Sequence, residues 1–270
     1  MPEKCFYDIS NVKKQDIDEY PEFFARFYDV IYKEIREGTD TEFYLKKILA
    51  CKGRILEVGT GTGRFFIEAL EKGADIYGID VSKSMIDVLR SKIPEEHHNR
   101  VFVKDIRHMN LGMKFDLIVA PFRVFQHIAD TDDRIAALNN IRSHLNNDCE
   151  FIFDVFVPNL NILLNETLRA PVFEGEYEKG RKIKVFVSSK ADLINQMMNV
   201  IWTLEWDENG TNVVREWNTN IRYFFRYELE NLVRLSKLRL VKMHGDFNEG
   251  PLNNDSQDFV LICKNDPLKT

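Results

Sequence analysis

Between about 20 and 50 the apolar residues recur every three or four positions. Phe23, Phe24, Phe27, Tyr28, Ile31, Tyr32 and Ile35 form one stripe, the periodicity of a helix that buries one face. Gly38 is placed to stop it, and Phe43, Tyr44, Ile48 and Leu49 predict a second helix over about 40–50. From Gly53 the pattern changes to short apolar runs alternating with amphipathic segments. Residues 54–58 read as a strand, 59–63 as a turn, and 65–72 as a helix closed by Gly73. Residues 76–79 form the next strand, and Ser82 then caps a helix over 85–92. Strands follow at 101–103, 115–120 and 151–155, with a helix over about 132–146. Such alternation indicates βαβ units and a parallel sheet.

The rhythm breaks after Pro158. From about 171 to 225 the chain alternates without helical periodicity, with a hairpin turn at Asp207, Glu208, Asn209 and Gly210. A helix resumes over about 226–237. Two strands, 238–244 and 259–263, are joined by a loop too short for a crossover helix, so they pair antiparallel. The expected fold is α/β: a doubly wound, mostly parallel seven-stranded sheet with its last strand antiparallel, helices on both faces, and a small antiparallel β insertion. The chain divides into a helical cap over 1–50, a core over 51–157 and 226–265, and an insertion over 158–225 that serves as a substrate lid.

Composition narrows the class. With 44 % apolar and 30 % charged residues over 270 positions, the chain has material for one large domain and is not a disordered sequence. A net charge of −6 counts against a protein that grips nucleic acid through its backbone phosphates. Cys5, Cys51, Cys149 and Cys263 are far apart and form no C-x-x-C pair, so neither a disulfide framework nor a zinc site is expected. His97 and His98 read as a solvated loop. The first residues hold no apolar signal core and no run approaches a membrane span, which points to a cytoplasmic protein.

The chemistry concentrates at the strand ends. Gly59-Thr60-Gly61-Thr62-Gly63 lies between a strand and a helix, where glycines let the backbone approach a ligand. The spacing is G-x-G-x-G, which differs from the dinucleotide fingerprint. Glu57 stands two residues before the first glycine. A carboxylate there repels a pyrophosphate by roughly 3 kcal/mol at about 5–6 Å and an effective dielectric near 20, but suits a ligand carrying ammonium and sulfonium charges. Asp80, seventeen residues after Gly63, ends the second strand where an acid accepts from ribose hydroxyls. Asp105 follows the third strand, within reach of an adenine amino group. Three strand ends in order thus offer acids to a nucleoside that carries an amino acid.

The motifs ILEVGTGTG, YGIDVS and VKDIRHM, each at a strand end, resemble those of the class I S-adenosylmethionine-dependent methyltransferases. The resemblance covers most of 50–155 together with the late strand pair. It implies S-adenosylmethionine as cofactor, with Glu57, Gly59, Thr60, Gly61 and Gly63 around its methionine part. Asp80 and Val81 would hold the ribose, Asp105 and Ile106 the adenine, and Ala120 and Pro121 would sit near the transferred methyl. The insertion resembles that of a small-molecule branch including the sugar N,N-dimethyltransferases. In that branch a Tyr-Asp-x-x-Tyr segment, matched here at Tyr28–Tyr32, reaches the cofactor carboxylate, and His127 falls near a histidine that acts as base in some members.

Each residue also has a plainer reading. His127 could cap or hydrogen-bond within its loop, and Tyr28 could be one more ring of the helix core. Arg222 suits a substrate carboxylate or phosphate in a two-pronged geometry, or is a solvated strand residue. Trp202, Trp206 and Trp217 read first as a hairpin core or dimer contact, and second as an aromatic lid. The expected activity is methyl transfer to a nitrogen or oxygen of a small-molecule acceptor by a monomer or homodimer, without metal, membrane or nucleic acid. The alternatives are a cofactor-binding protein without catalysis and a nicotinamide-dependent reductase. An RNA base methylase is disfavoured because Ala120-Pro121-Phe122-Arg123 stands where an Asn/Asp-Pro-Pro-Tyr/Phe tetrad belongs.

Overall fold

A computed structural model describes residues 20–35 and 38–265; the expectations for residues 1–19, Cys5 among them, lie outside the described residues. Two helices lead in, α1 (Glu22–Ile35) and α2 (Thr39–Ala50). The chain then alternates through β1 (Ile55–Val58), α3 (Phe66–Glu71), β2 (Ile76–Asp80), α4 (Lys83–Lys92), β3 (Val101–Val103), β4 (Phe115–Ala120), α5 (Thr131–His144) and β5 (Leu145–Phe156). After the short α6 (Leu160–Leu164) come β6 (Thr167–Glu178), β7 (Arg181–Asp192), β8 (Met197–Glu208) and β9 (Thr211–Arg222). Last are α7 (Arg226–Leu235), β10 (Leu238–His244) and β11 (Asp258–Asn265).

Seven strands form one sheet in the order β10-β11-β5-β4-β1-β2-β3. β1 to β5 pair parallel, whereas β11 runs antiparallel to both β5 and β10. The fold class read from the sequence, with its reversed last strand, is the one observed. Side-chain alternation distributes the strands between two cores. Leu56, Ile118, Phe151 and Phe153 pack with Leu138 and Ile141 of α5 and Leu232 of α7. Ile55, Leu117, Val119 and Ile152 face Tyr44 and Ile48 of α2, Phe66 of α3 and Leu89 of α4. Strand order runs outward from β1 through β2 to β3, then jumps to the other side at β4. That switch point opens a crevice beyond the carboxyl ends of β1 and β4.

The second sheet is a four-stranded antiparallel meander, β6-β7-β8-β9. Asn209 and Gly210 both take positive φ, 55° and 83°, in the turn between β8 and β9, which suits the right-handed twist of the strands on either side. The stripe of α1 is buried against this sheet. Phe24, Phe27 and Ile31 pack with Ile183, Val185, Leu204, Trp206 and Trp217, and Trp202 lies directly opposite Trp217 across the ladder. The tryptophans therefore belong to a core that joins the helix to the meander.

Two boundaries differ from the sequence expectation. α5 ends at His144, and β5 begins at Leu145, six residues before the apolar run at 151. Its polar start is held by pairing Leu145 with Phe115 and Glu150 with Leu117.

Candidate functional site

The crevice at the switch point is an open cleft beyond the strand ends, the place where open α/β sheets bind ligands. Its floor is the turn after β1, its sides are the ends of β2 and β4, and Tyr20 and Tyr28 reach it from the N-terminal helical region. Glu57, Gly59, Thr60, Gly61, Asp80, Val81, Ile106, Pro121, Tyr28 and His127 all line it. Residues singled out from five separated stretches of sequence thus meet in one cavity.

The turn after β1 can take its shape only because glycines occupy it. Gly59 has φ of 70°, and a Cβ there would lie 2.3 Å from Val124 Cγ2, a distance no real contact reaches. Asp80 fixes the same turn from β2. Its Oδ2 accepts from the Gly61 N–H at 2.9 Å and its Oδ1 from the Ser82 N–H at 2.8 Å. Asp80 also lines the crevice, where its carboxylate is an acceptor at the end of β2. Ser82 in turn caps α4, accepting from the Met85 N–H at 3.4 Å.

Glu57 is 1 % exposed. Burial pushes its carboxyl up to about 8, against the downward pull of the Thr60 hydroxyl and the Arg64 cation and with the upward push of Asp80. Thr60 Oγ1 donates to Glu57 Oε2 at 3.2 Å. A buried carboxyl held at this value in a cavity wall fits a cationic ligand, whose charge restores what solvent no longer provides. The residues present therefore fit a sulfonium nucleoside bearing an ammonium group.

Four expected residues are placed elsewhere. Asp105 is gripped by Arg107, which donates from Nε at 2.9 Å and from Nη2 at 2.6 Å to Oδ2, and from its backbone N–H at 2.8 Å to Oδ1. Burial raises this carboxyl, but the Arg107 bonds outweigh that and leave it below its ordinary value. Lys104 and Ile106, its neighbours, line the cavity in its stead. Arg222 is directed away: Nη1 donates to the Asn195 carbonyl at 3.1 Å, and Nη2 donates to Gln196 and Glu228, each at 3.2 Å. It ties the β7–β8 turn to α7. Gly63 is packed beneath Leu89 and Ile67, and Ala120 is buried behind Pro121.

The sequence reading passed over Arg64, Tyr20 and Lys104, which also line the cavity beside Phe122. Arg64 makes a fork with Asp40 of α2, Nη1 to Oδ1 at 3.1 Å and Nη2 to Oδ2 at 2.6 Å. Its position one residue past the glycines was the available signal. The ring of Tyr20 sits 6.1 Å from His127 and 4.5 Å from Trp217, so the four-stranded sheet approaches the cavity through aromatic rings. Among the described residues no cluster of His, Cys, Asp or Glu is arranged for a metal, and no helix is long and apolar enough to cross a membrane.

Residues 56–151 match the family model described as a methyltransferase domain. The cypemycin N-terminal methyltransferase of a Streptomyces species is 21 % identical over 250 residues, covering 92 % of this chain and 98 % of that protein. The CcbJ methyltransferase of Streptomyces caelestis superposes with a TM-score of 0.70 at 22 % identity, over 85 % of this chain and 95 % of the other. The sugar N-methyltransferase KedS8 from a Streptoalloteichus species gives 0.71 at 16 % identity, over 95 % and 97 %. Residues 56–151 thus carry a methyltransferase domain, and the chain around it shares the fold of S-adenosylmethionine-dependent methyltransferases. The comparisons support a methyltransferase with S-adenosylmethionine as cofactor over the nicotinamide and non-catalytic alternatives.

Proposed function

We propose that this chain transfers a methyl group from S-adenosylmethionine to the nitrogen of a small-molecule amine, an amino sugar or a peptide N-terminus being the first candidates. The observation that carries the reading is that the rings of Tyr20, Tyr28, Phe122 and His127 line the same crevice as Glu57 and Asp80. Relatives that align over most of the chain bear names for N-methylation, of a peptide N-terminus and of a sugar, which favours nitrogen over oxygen.

Glu57 would take the ammonium of the methionine part, Asp80 the ribose hydroxyls, and the backbone at Gly59 and Gly61 would close around the chain between them. Arg64 and Tyr28 stand where a cofactor carboxylate could be met. Ile106 would flank the adenine; a direct bond from Asp105 requires its carboxylate to serve Arg107 and the base together. The bound cofactor supplies a methyl activated by sulfonium, so the protein's part is alignment and exclusion of water. His127 would accept the proton that an ammonium acceptor must lose before its lone pair can attack. The helices over 1–50 would form a cap on the core of 51–157 and 226–265, and the insertion over 158–225 a lid that selects the acceptor. The free thiols of Cys51, Cys149 and Cys263 suit a cytoplasmic setting, and we infer a monomer or homodimer.

The test is tritiated methyl transfer across panels of amines, amino sugars, short peptides and hydroxylated acids, beside calorimetric titration with S-adenosylmethionine and with NADH. Transfer to amines alone is expected. Tight NADH binding with none of the methyl donor would overturn the reading.

A further inference from the structure

Asp154, near the end of β5, is 1 % exposed and does not line the cavity. It lies on the sheet face packed by α2, beside Ile152 and Val260. Its Oδ1 accepts from the Tyr44 hydroxyl at 2.7 Å and from the Phe122 N–H at 2.8 Å. Its Oδ2 is buried with no hydrogen-bond partner among the described residues. Burial lifts this carboxyl to about 6, against the pull of Tyr44 and of the Phe122 amide. A carboxyl so placed is a poor choice for the core alone, since an apolar residue would need no such partners.

What Asp154 holds is strained. Phe122 and Arg123 follow one another in the left-handed region with φ of 62° and 68°, a conformation side chains with a Cβ adopt only when their surroundings impose it. Phe122 lines the cavity, and its ring meets Tyr32 at 5.1 Å and the Arg64 guanidinium at 5.4 Å. The far end of the same segment is pinned too. Gln126, fully buried, accepts from the Phe156 N–H at 3.0 Å and donates to the Arg222 carbonyl at 2.7 Å. Both ends of the wall that carries Phe122 and His127 are thus tied to β5.

We propose that Asp154 is a positioning residue for methyl transfer: through Tyr44 on one side and the Phe122 amide on the other, it keeps the turn after β4 in the conformation that aligns the acceptor. The inference rests on the methyltransferase reading above, but it acts on the acceptor side, because the glycine turn and Asp80 are held independently of Asp154.

The test uses the full chain and the variants Asp154→Ala, Asp154→Asn and Tyr44→Phe. In Asp154→Ala, amide hydrogen exchange over 121–128 should quicken by more than about tenfold while 59–63 keeps its protection. The dissociation constant for S-adenosylmethionine should stay within about twofold, and kcat on the best amine of the tritium panel should fall by more than about tenfold. Asp154→Asn, whose amide oxygen still accepts from Phe122, should recover most of kcat. If Asp154→Ala does not fold, Tyr44→Phe decides: a loss of about threefold or more in kcat at unchanged cofactor affinity supports the role. Unchanged kcat and exchange in the variants overturns it, as does uniform loss of protection with equal loss of cofactor binding. Failure of the underlying reading looks different, since the unaltered protein would then neither bind the cofactor nor transfer methyl.

Discussion

Asp80 Oδ2 accepts the Gly61 N–H at 2.9 Å, so the acid that would meet the ribose also shapes the turn that would meet the methionine. Asp80→Ala removes both functions at once. A hydrogen bond to a charged group contributes roughly 1.5–3 kcal/mol, which corresponds to a loss of about 10- to 150-fold in cofactor affinity by calorimetry. Asp80→Asn should fall in between. Affinity unchanged in Asp80→Ala would remove Asp80 from the site.

Glu57 makes the ligand-free protein sensitive to pH in a defined direction. Its carboxyl ordinarily titrates at 4.5 and is lifted to about 8 in the fold. Between those values the folded chain keeps a proton that the unfolded chain has released. The contribution is complete below about pH 4.5 and is lost as pH rises toward about 8. At about 1.4 kcal/mol per pH unit the loss reaches the order of 5 kcal/mol. Melting temperatures from pH 5 to 8 should therefore fall more steeply for the parent than for Glu57→Gln, which becomes the more stable at the alkaline end. Added S-adenosylmethionine should close that gap only in the parent. Parallel melting curves would refute the assignment; Asp154, also lifted, acts equally in both proteins and cancels.

Gly59→Ala combines a left-handed backbone with a clash at 2.3 Å against Val124. Overpacking of this kind costs about 1–3 kcal/mol, and the glycine turn should move before the fold fails. Cofactor affinity is expected to drop by more than about tenfold, with partial recovery in Gly59→Ala/Val124→Ala, because the second change removes the clash but not the strain. Full recovery would show that backbone conformation is unimportant here.

His127→Ala should leave cofactor affinity within about twofold and lower kcat by about 10²- to 10⁴-fold if the imidazole takes the acceptor proton. The discriminating measurement is kcat against pH with a protonated amine acceptor. The ascending limb should flatten in the variant; an unaltered limb assigns proton removal to another group.

Much of this site was legible because it is local. Glu57, the glycines and Asp80 lie within one βαβ unit, where strand ends and chain order fix neighbours, and Ser82 announced its helix. Asp105 was harder, because the competing partner is Arg107 two residues on, and sequence does not say which way a short salt bridge closes. The partners of Arg222 were not legible either, because the proximity of Glu228, Asn195 and Gln196 depends on how the meander folds back. The strand β6 hid behind Pro171 and Gly175, both poor strand formers. Asp154 carries no signal of its own. Its meaning comes from Tyr44, which lies 110 positions away.

Helix α1 touches both halves of the molecule's chemistry. From one side Asp29 accepts the Thr62 hydroxyl at 2.7 Å, beside the glycine turn, and from the other Phe24 packs on Trp217 at 4.7 Å. A foreign meander grafted onto this scaffold would arrive with a surface this helix was never shaped to meet. An exchange would have to take helix and meander together, as a single cassette, and then rebuild the Asp29–Thr62 contact beside the glycine turn.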